Sequence, residues 1–492
     1  MILHHDDAAL DRRIIRGSAW VAASYGGRHL ATLIATLVLV RLLDPAAFGL
    51  VALAWVFIAA LYQLEGAGIE AALVYRRDRL AAAASSAFVF AVFTGVVLYG
   101  ISFAAAPLVA RAFEAPALTD VLRVMGILIL IRSLAVVPAA LFERELDFRS
   151  RARCEVAGAL AQVGVSIGLA IAGGGVWSLV FGQLAGTGVQ TALFWALGSW
   201  RPQLSLASMA EIRDLVRYGR FVSATNVVNL ANNTMDNLFV GRILGAGALG
   251  IYAVAFRLAD FPTTVLGHVV GRVMFPVYSQ LQADVGRVRR AYLRNLQRTA
   301  LLAVPVSVGL AVAAEPVVLG LLGERWESAI TPLRILAVYG IVKTIAAPAG
   351  EIFKGMGRPH MGFAFSAAQV AVLGVLLAVL TPPYGLRGAA LAMLIAVSAC
   401  GFAKLAASLR AVGATSGDLA RALAAPALCS GSVALALTLL LPSVDSLTPL
   451  AALAVLTAAG VAVYAAAAAV FARGVVAPIW AGWRGAGMGA AR

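Results

Sequence analysis

Apolar stretches alternate with short polar segments along almost the whole chain of 492 residues. Fourteen of these stretches are about 20 to 27 residues long, enough for an α-helix to cross a hydrocarbon core of roughly 30 Å. The pattern therefore predicts fourteen membrane-spanning helices. They lie near residues 18–43, 46–72, 85–110, 117–142, 151–173, 175–198, 217–243, 246–271, 296–322, 328–353, 360–381, 385–403, 422–442 and 447–471.

Lys and Arg residues are distributed unevenly between these stretches. The N-terminus and every second connection together contain 28 of them, whereas the remaining connections contain six. Positively charged segments flanking membrane helices stay on the cytoplasmic side. The bias therefore supports an even number of spans and predicts that both termini are cytoplasmic.

Composition excludes several classes of protein. With 61% hydrophobic and 13% charged residues, the chain is typical of a polytopic membrane protein. The net charge of +15 lies in short loops, where membrane topology explains it, so no nucleic-acid partner is expected. The three cysteines and five histidines are scattered, which predicts neither a disulfide framework nor a metal site nor a cofactor. A phosphate-binding GxxxxGK[ST] motif is also missing, so ATP hydrolysis is not supported.

An internal repeat relates two parts of the chain. Residues 41–54 read RLLDPAAFGLVALA and residues 242–255 read RILGAGALGIYAVA, so that Gly49 corresponds to Gly250 at an offset of 201. Each copy lies at the outer turn between the first two helices of a block of six, which predicts two lobes of the same orientation. Because lipid requires closed backbone hydrogen bonding and the spans are long, we expect an all-α fold. The predicted regions are an N-terminal tail at 1–17, an N-lobe at 18–198, a cytoplasmic linker at 199–216, a C-lobe at 217–410, a C-terminal helix pair at 411–471 and a tail at 472–492.

Ionisable residues within the spans are costly and are therefore candidates for function. Block symmetry makes the first and seventh helices counterparts, and likewise the second and eighth, so their cations are expected to converge on a central cavity. Guanidinium groups offer a planar fork to phosphate oxygens, which favours a phosphorylated ligand. The candidates for binding this ligand are Arg28, His29, Arg132, Arg257 and Lys343.

The seventh predicted helix is the most polar. Its asparagines face either neighbouring helices, as interhelical hydrogen-bonding groups, or a hydrated cavity, where amides suit sugar hydroxyls. The candidates for sugar binding are Asn226, Asn229, Asn233 and Asn237. The candidates for coupling to a proton or sodium ion are Asp236, Glu65 and Asp260, and Asp260 follows Arg257 by three residues, a spacing at which the two can pair.

The chain resembles a known family in three segments: TLVLVRLLDPAAFGLVALAWVFIAAL, DNLFVGRILGAGALGIYAVAFRL and FKGMGRPHMGF. With the paired blocks of six helices, they are similar to the polysaccharide (Wzx-type, oligosaccharide) flippases of the multidrug/oligosaccharidyl-lipid/polysaccharide exporter superfamily. The resemblance covers about residues 12–440. It implies V-shaped lobes that open alternately to each side of a bacterial inner membrane.

The same resemblance implies the cargo and the partners. The cargo is an undecaprenyl-pyrophosphate-linked oligosaccharide destined for O-antigen, capsule or exopolysaccharide, and a polysaccharide polymerase with its chain-length machinery is an implied partner. Arg28 and Arg257 fall in the first and eighth helices, which bind pyrophosphate in the related lipid II flippase.

Two other functions stay open at this point. A multidrug/cation antiporter of the same superfamily would have a mainly acidic cavity, whereas this chain has more intramembrane cations than isolated acids. A membrane polysaccharide polymerase would usually need a large outer loop with catalytic residues, whereas the outer turns here are short. The sequence therefore favours a flippase, which is a transporter and not an enzyme.

Overall fold

The computed structural model describes residues 26–66, 70, 73, 78–282 and 284–473. Within these ranges the chain is helical almost throughout and has no β-strand. Since apolar helices of this length follow one another along the chain, the protein is a multi-pass membrane protein. The predicted all-α class is confirmed.

In the described ranges, seven helices precede the predicted linker. They are α1 (residues 26–42), α2 (Pro45–Gly66), α3 (Leu80–Ala112), α4 (Leu118–Met125), α5 (Ile127–Arg144), α6 (Phe148–Ile171) and α7 (Val176–Leu197). A 3-10 turn at Leu204–Leu206 follows α7. The connections between α1 and α2 and between successive helices from α3 to α7 are five residues long or shorter.

Seven further helices are described after this turn, and the first of them begins within the predicted linker. They are α8 (Met209–Leu281), α9 (Val285–Val312), α10 (Ile330–Ala346), α11 (Pro348–Gly355), α12 (Pro359–Ala411), α13 (Ser416–Val444) and α14 (Pro449–Phe471). Short helical turns at Ala314–Val317, Val318–Leu322 and Glu324–Ala329 connect α9 to α10.

Single glycines interrupt the two longest helices. Gly245 in α8 has φ 84° and ψ 174°, and Gly385 in α12 has φ 57° and ψ −136°. A positive φ is readily adopted only by glycine, because glycine lacks a Cβ atom. Each glycine therefore divides its helix at the place where the sequence predicts an outer turn between two spans.

Ten helices of the described ranges are long and apolar enough to cross a membrane. Two of them, Asn226–Val265 and Pro359–Ala411, contain the breaks at Gly245 and Gly385, and each covers a pair of predicted spans. Helices α1 and α7 occupy the positions of the first and sixth predicted spans. The total of fourteen spans stays a prediction.

The chain forms two compact units, the first ending at Ala253 and the second beginning at Val254. In the first unit, alanines of α3 pack against Val136, Val137 and Leu141 of α5, together with Leu215 of α8. In the second unit, the core includes Tyr278, Tyr292 and Phe353, packed against Leu405 and Leu409 of α12. The lobe boundaries that the sequence suggests stay a prediction.

The segment after α7 is attached to the first unit. The backbone N–H of Gln203 donates to Ser85 Oγ at 3.2 Å, and that of Ser208 donates to Ser86 Oγ at 2.9 Å. Both serines belong to α3 and are buried. Hydrogen bonds to buried hydroxyls fix the path of this segment, and they set the place from which α8 begins.

Helices α2 and α8 approach each other at two glycines, a contact that we call the glycine crossing. A Cβ atom on Gly49 would lie 1.7 Å from the carbonyl oxygen of Ala246, and one on Gly250 would lie 1.8 Å from that of Pro45. The repeat offset of 201 relates Pro45 to Ala246 and Gly49 to Gly250. The two repeat copies therefore contact each other reciprocally, backbone against backbone, within the first unit.

Candidate functional site

The candidate ligand-binding cations of the first unit lie on α1 and α5. The guanidinium carbon of Arg132 lies 4.4 Å from the centre of the Tyr62 ring, a cation–π contact between α5 and α2. Arg28 and His29 are half-buried on α1. Tyr62 thus holds Arg132 in place without neutralising its charge, so the guanidinium stays available to an anion.

Polar amides form a stripe along α8 before Gly245. Asn226, Asn229 and Asn233 follow one another at spacings of three and four residues, and all three are exposed on the first unit. The side-chain amide of Asn233 donates to the backbone carbonyl of Asn229 at 2.7 Å, and Asn237, one turn further, is half-buried. Amides facing hydrocarbon would lack partners for their remaining donors and acceptors. The exposed stripe is therefore best accommodated beside water.

Asp236 lies next to this stripe, yet its side chain is buried, with 1% of its surface exposed. The hydroxyl of Tyr252 donates to Asp236 Oδ2 at 3.1 Å, and the backbone N–H of Asn237 donates to Asp236 Oδ1 at 2.9 Å. Tyr252 is fully buried as well. Asp236 is therefore an enclosed acid with defined hydrogen-bond partners.

An ion pair joins α8 to α10 in the second unit. Lys343 Nζ lies 2.7 Å from Asp260 Oδ1, and 28% of the lysine and 16% of the aspartate side chain is exposed. The hydroxyl of Thr264 donates to the other oxygen of Asp260. The Lys343 ammonium also lies 5.6 Å from the centre of the Tyr339 ring. Asp260 therefore pairs with Lys343, and not with Arg257 as its helical spacing suggests.

Arg257 lies one turn before Asp260 on α8 and is exposed on the second unit. Its neighbour Phe256 packs against the ring of Tyr339, with ring centres 5.8 Å apart. Two other side chains close the same helix contact: Thr263 Oγ1 lies 3.2 Å from Thr344 Oγ1 and 3.3 Å from the carbonyl of Gly340. Arg257 therefore lies on a part of α8 that is packed firmly against α10.

Of the predicted site residues, the structure brings Asp260 and Lys343 together. The side chain of Glu65 lies outside what the structure describes. The convergence of Arg28, His29 and Arg257 on one cavity stays a prediction. Among the described residues, no group of three His, Cys, Asp or Glu side chains is placed to hold a metal ion.

Sequence reasoning missed the tyrosines that hold these charges. Tyr252 and Asp236 flank Gly245 at seven and nine residues, so a helical hairpin turning at Gly245 places them at a similar depth. Tyr339 precedes Lys343 by four residues, which is the spacing of neighbours on one helix face. Both signals are present in the sequence, but they have meaning only once the turn and the helix are known.

Comparison with known proteins relates the chain to proteins of polysaccharide biosynthesis. The family described as "Polysaccharide biosynthesis protein" matches residues 38–331, which is more than half of the chain. The teichuronic acid biosynthesis protein TuaB of Bacillus subtilis (strain 168) is 24% identical over 310 residues, covering 63% of this chain and 64% of TuaB. The chain therefore matches just under two thirds of TuaB's length. The succinoglycan biosynthesis transport protein ExoT of Rhizobium meliloti (strain 1021) is 27% identical over 348 residues, covering 70% of each chain.

The fold is similar to a solved membrane transporter. The inward closed conformation of the lipid II flippase MurJ matches with a TM-score of 0.75 and 15% sequence identity, covering 94% of this chain and 100% of that one. At this identity the likeness shows the fold alone.

Proposed function

The chain belongs to the polysaccharide biosynthesis protein family, and on this basis we propose that it is a flippase for a lipid-linked oligosaccharide. The observation that carries the proposal is the family match over residues 38–331, a range that includes Arg132, the asparagine stripe and Arg257. The cargo is an undecaprenyl-pyrophosphate-linked oligosaccharide, moved from the cytoplasmic to the outer leaflet. No covalent bond of the cargo changes, so the protein acts as a transporter and not as an enzyme.

The pyrophosphate is bound by intramembrane cations in this proposal. Arg28, His29, Arg132 and Arg257 supply the charge, and arginine suits the task because its fork pairs with two phosphate oxygens at once. Lys343 is a conditional member of the set, because its ammonium already pairs with Asp260 at 2.7 Å. Lys343 can bind phosphate only when its ion pair with Asp260 is broken.

The sugars lie along the asparagine stripe. Asn226, Asn229 and Asn233 are exposed, and amides both donate to and accept from hydroxyl groups. Such contacts are tolerant of sugar identity and are exchanged readily with water. The oligosaccharide therefore crosses in a hydrated path while the lipid tail stays in the bilayer.

We assign ion coupling to the acidic residues within the predicted spans. Asp260 is the strongest candidate for a proton, because its protonation would remove the negative charge that holds Lys343. Asp236 is the second candidate, and its carboxylate accepts hydrogen bonds from the Tyr252 hydroxyl and the Asn237 backbone N–H. Glu65 is the third candidate. In this scheme, alternating access follows from the change of partners around Lys343.

The location and partners follow from the same proposal. The protein lies in the bacterial inner membrane with both termini in the cytoplasm, as the Lys and Arg distribution supports. The flipped cargo is delivered to a polysaccharide polymerase and its chain-length machinery.

Reconstitution into lipid vesicles tests the function. A fluorescent undecaprenyl-pyrophosphate oligosaccharide is included in the vesicles, and an impermeant reductant bleaches only the label on the outer leaflet. We expect the wild type to make nearly the whole pool accessible, and Arg28→Ala and Arg257→Ala to slow this strongly. Arg242→Ala is the matched control, because Arg242 lies beside the outer turn in an exposed pair with Glu114 at 3.1 Å.

The result that would overturn the proposal is equally concrete. If the wild type leaves the labelled lipid in its original leaflet but exchanges a cationic dye for protons, the protein is an antiporter of the multidrug type. If Arg28→Ala and Arg257→Ala transport the lipid as fast as the control Arg242→Ala, the assignment of the pyrophosphate site fails while the flippase activity stands.

A further inference from the structure

The three lysines of this chain are all in the second unit, whereas the other 36 of its 39 basic residues are arginines. Lys343 pairs with Asp260 at 2.7 Å, and Lys354 pairs with Glu351 at 3.1 Å. Lys404 differs, because no carboxylate of the described residues lies within ion-pair distance of its ammonium. A half-buried lysine that has no ion-pair partner among the described residues requires an explanation.

A glycine makes room for the Lys404 ammonium. Nζ of Lys404 lies against α11 at Gly350, where an added Cβ atom would be only 3.1 Å from Nζ and 3.7 Å from Cε. A side chain at position 350 would push the end of Lys404 away from α11 by a few tenths of an ångström. The close approach of α12 and α11 therefore brings the charge of Lys404 to the surface that also carries Glu351 and Lys354.

The local charge balance is positive. Lys354 and Glu351 both interact electrostatically with Lys404. Glu351 is already engaged by Lys354, whose side chain is 58% exposed. Two ammonium groups thus share one carboxylate, and the net charge of +1 is available to an anion from outside the chain.

The depth of Lys404 indicates which anion is within reach. Lys404 follows the turn at Gly385 by 19 residues, which corresponds to about 28 Å along the second half of α12 at 1.5 Å per residue. That length is close to the roughly 30 Å of a hydrocarbon core. If Gly385 lies at one edge of the core, Lys404 lies at the other, at the level where lipid phosphates begin.

We propose that Lys404 and Lys354, with Gly350 between the two helices, form a binding site for a phosphate group. The ligand class is a phosphate carried by an anionic phospholipid or a free phosphate of similar charge. This site gives a role to Lys354 of the FKGMGRPHMGF segment, which the flipping cycle does not use. It goes beyond the proposed function and does not depend on it, because binding is measured without transport.

The test is a titration of the purified full chain in detergent with phosphatidylglycerol, followed by native mass spectrometry to count bound lipids. We expect Lys404→Ala to weaken the tightest lipid by about tenfold, which corresponds to the loss of one charge-assisted hydrogen bond. Arg410→Ala is the control, since it removes an exposed positive charge from the same helix. It should bind lipid as the wild type does.

Gly350→Ala is an independent variant. It keeps every charge and introduces only the Cβ atom that would crowd Lys404, so it should weaken the same lipid while the helix stays intact. Inorganic pyrophosphate is then added to the wild type with lipid bound. Displacement of the lipid assigns the site to phosphate from either source, and no displacement assigns it to membrane lipid. Binding unchanged in both Lys404→Ala and Gly350→Ala would overturn the proposal.

Discussion

Helix α8 makes two contacts that differ in kind. In the first unit, its residues around Gly250 meet α2 at the glycine crossing, where carbonyl oxygens lie directly over glycines. In the second unit, its residues from Asp260 to Thr264 meet α10 through an ion pair and a pair of hydroxyls. The first contact depends on the absence of side chains, and the second on their chemistry.

Because of this difference, the two contacts should respond differently to pH and to ligands. Backbone packing has no titratable group, so neither pH nor an anion changes its strength. The contact with α10 contains Asp260 and Lys343, each able to accept another partner. A ligand or a proton therefore acts on the second contact and leaves the first unchanged.

The largest effect is expected at the glycine crossing. Gly49→Ala places a methyl group against the Ala246 carbonyl oxygen, and the overpacking should lower the free energy of unfolding by about 3 kcal/mol or more. Gly250→Ala should match it, because the contact is reciprocal. Thermal unfolding in detergent, followed by tryptophan fluorescence, measures both.

Gly247→Ala is the control for this pair. A Cβ atom at position 247 would have no neighbour within 4 Å. Its unfolding temperature should equal that of the wild type. If Gly49→Ala proves as stable as Gly247→Ala, the close backbone contact between α2 and α8 is wrong.

The next largest loss of stability is expected at the ion pair between α8 and α10. Asp260→Asn leaves the Lys343 ammonium half-buried without its carboxylate, at a cost of about 2 kcal/mol, less than for a fully buried pair. Combining it with Lys343→Met should recover part of the loss, since neither charge then remains. A double-mutant cycle measures the interaction energy. Strictly additive losses would show that the two side chains do not interact.

A smaller effect is expected at the buried acid of the first unit. Tyr252→Phe removes the hydroxyl that donates to Asp236, and hydrogen bonds to charged groups contribute about 1.5 kcal/mol. Tyr99→Phe is the control, because its hydroxyl has no hydrogen bond within the described ranges. Equal unfolding temperatures for the two variants would contradict the Tyr252–Asp236 bond.

The smallest effect concerns the hydroxyl pair. Thr344→Val removes the bond to Thr263 and should lower stability by about 1 kcal/mol. Thr234→Val serves for comparison, since the Thr234 hydroxyl bonds only the Leu230 carbonyl of its own helix at 2.8 Å. Chemical denaturation measures the loss of stability in each variant. A larger loss for Thr234→Val than for Thr344→Val would contradict the hydroxyl contact between Thr263 and Thr344.

Much of the fold could be predicted from the sequence because lipid leaves few alternatives. Apolar runs of spanning length predict helices, and the all-α class is confirmed. The repeat at Gly49 and Gly250 predicts equivalent positions, although it does not show that the two copies touch. The family inferred from three segments is confirmed by the match over residues 38–331.

The side-chain partners could not be predicted in the same way. Asp260 and Lys343 are 83 residues apart, and their pairing depends on how α8 and α10 are rotated about their axes. Helical spacing favours Arg257 as the partner, since local neighbours are the only ones a sequence displays. The role of Gly350 could not be predicted from the sequence either, because it depends on the contact between Gly350 and the distant Lys404.

The one-residue turns at Gly245 and Gly385 have a consequence for labelling the predicted outer face of the membrane. On that face one helix ends and the next begins without a loop, so an added protease or antibody would find almost no accessible chain at these turns. An epitope tag inserted there would have to break a helix. Residues 445–448, between α13 and α14, offer a longer connection and a better place to insert such a tag.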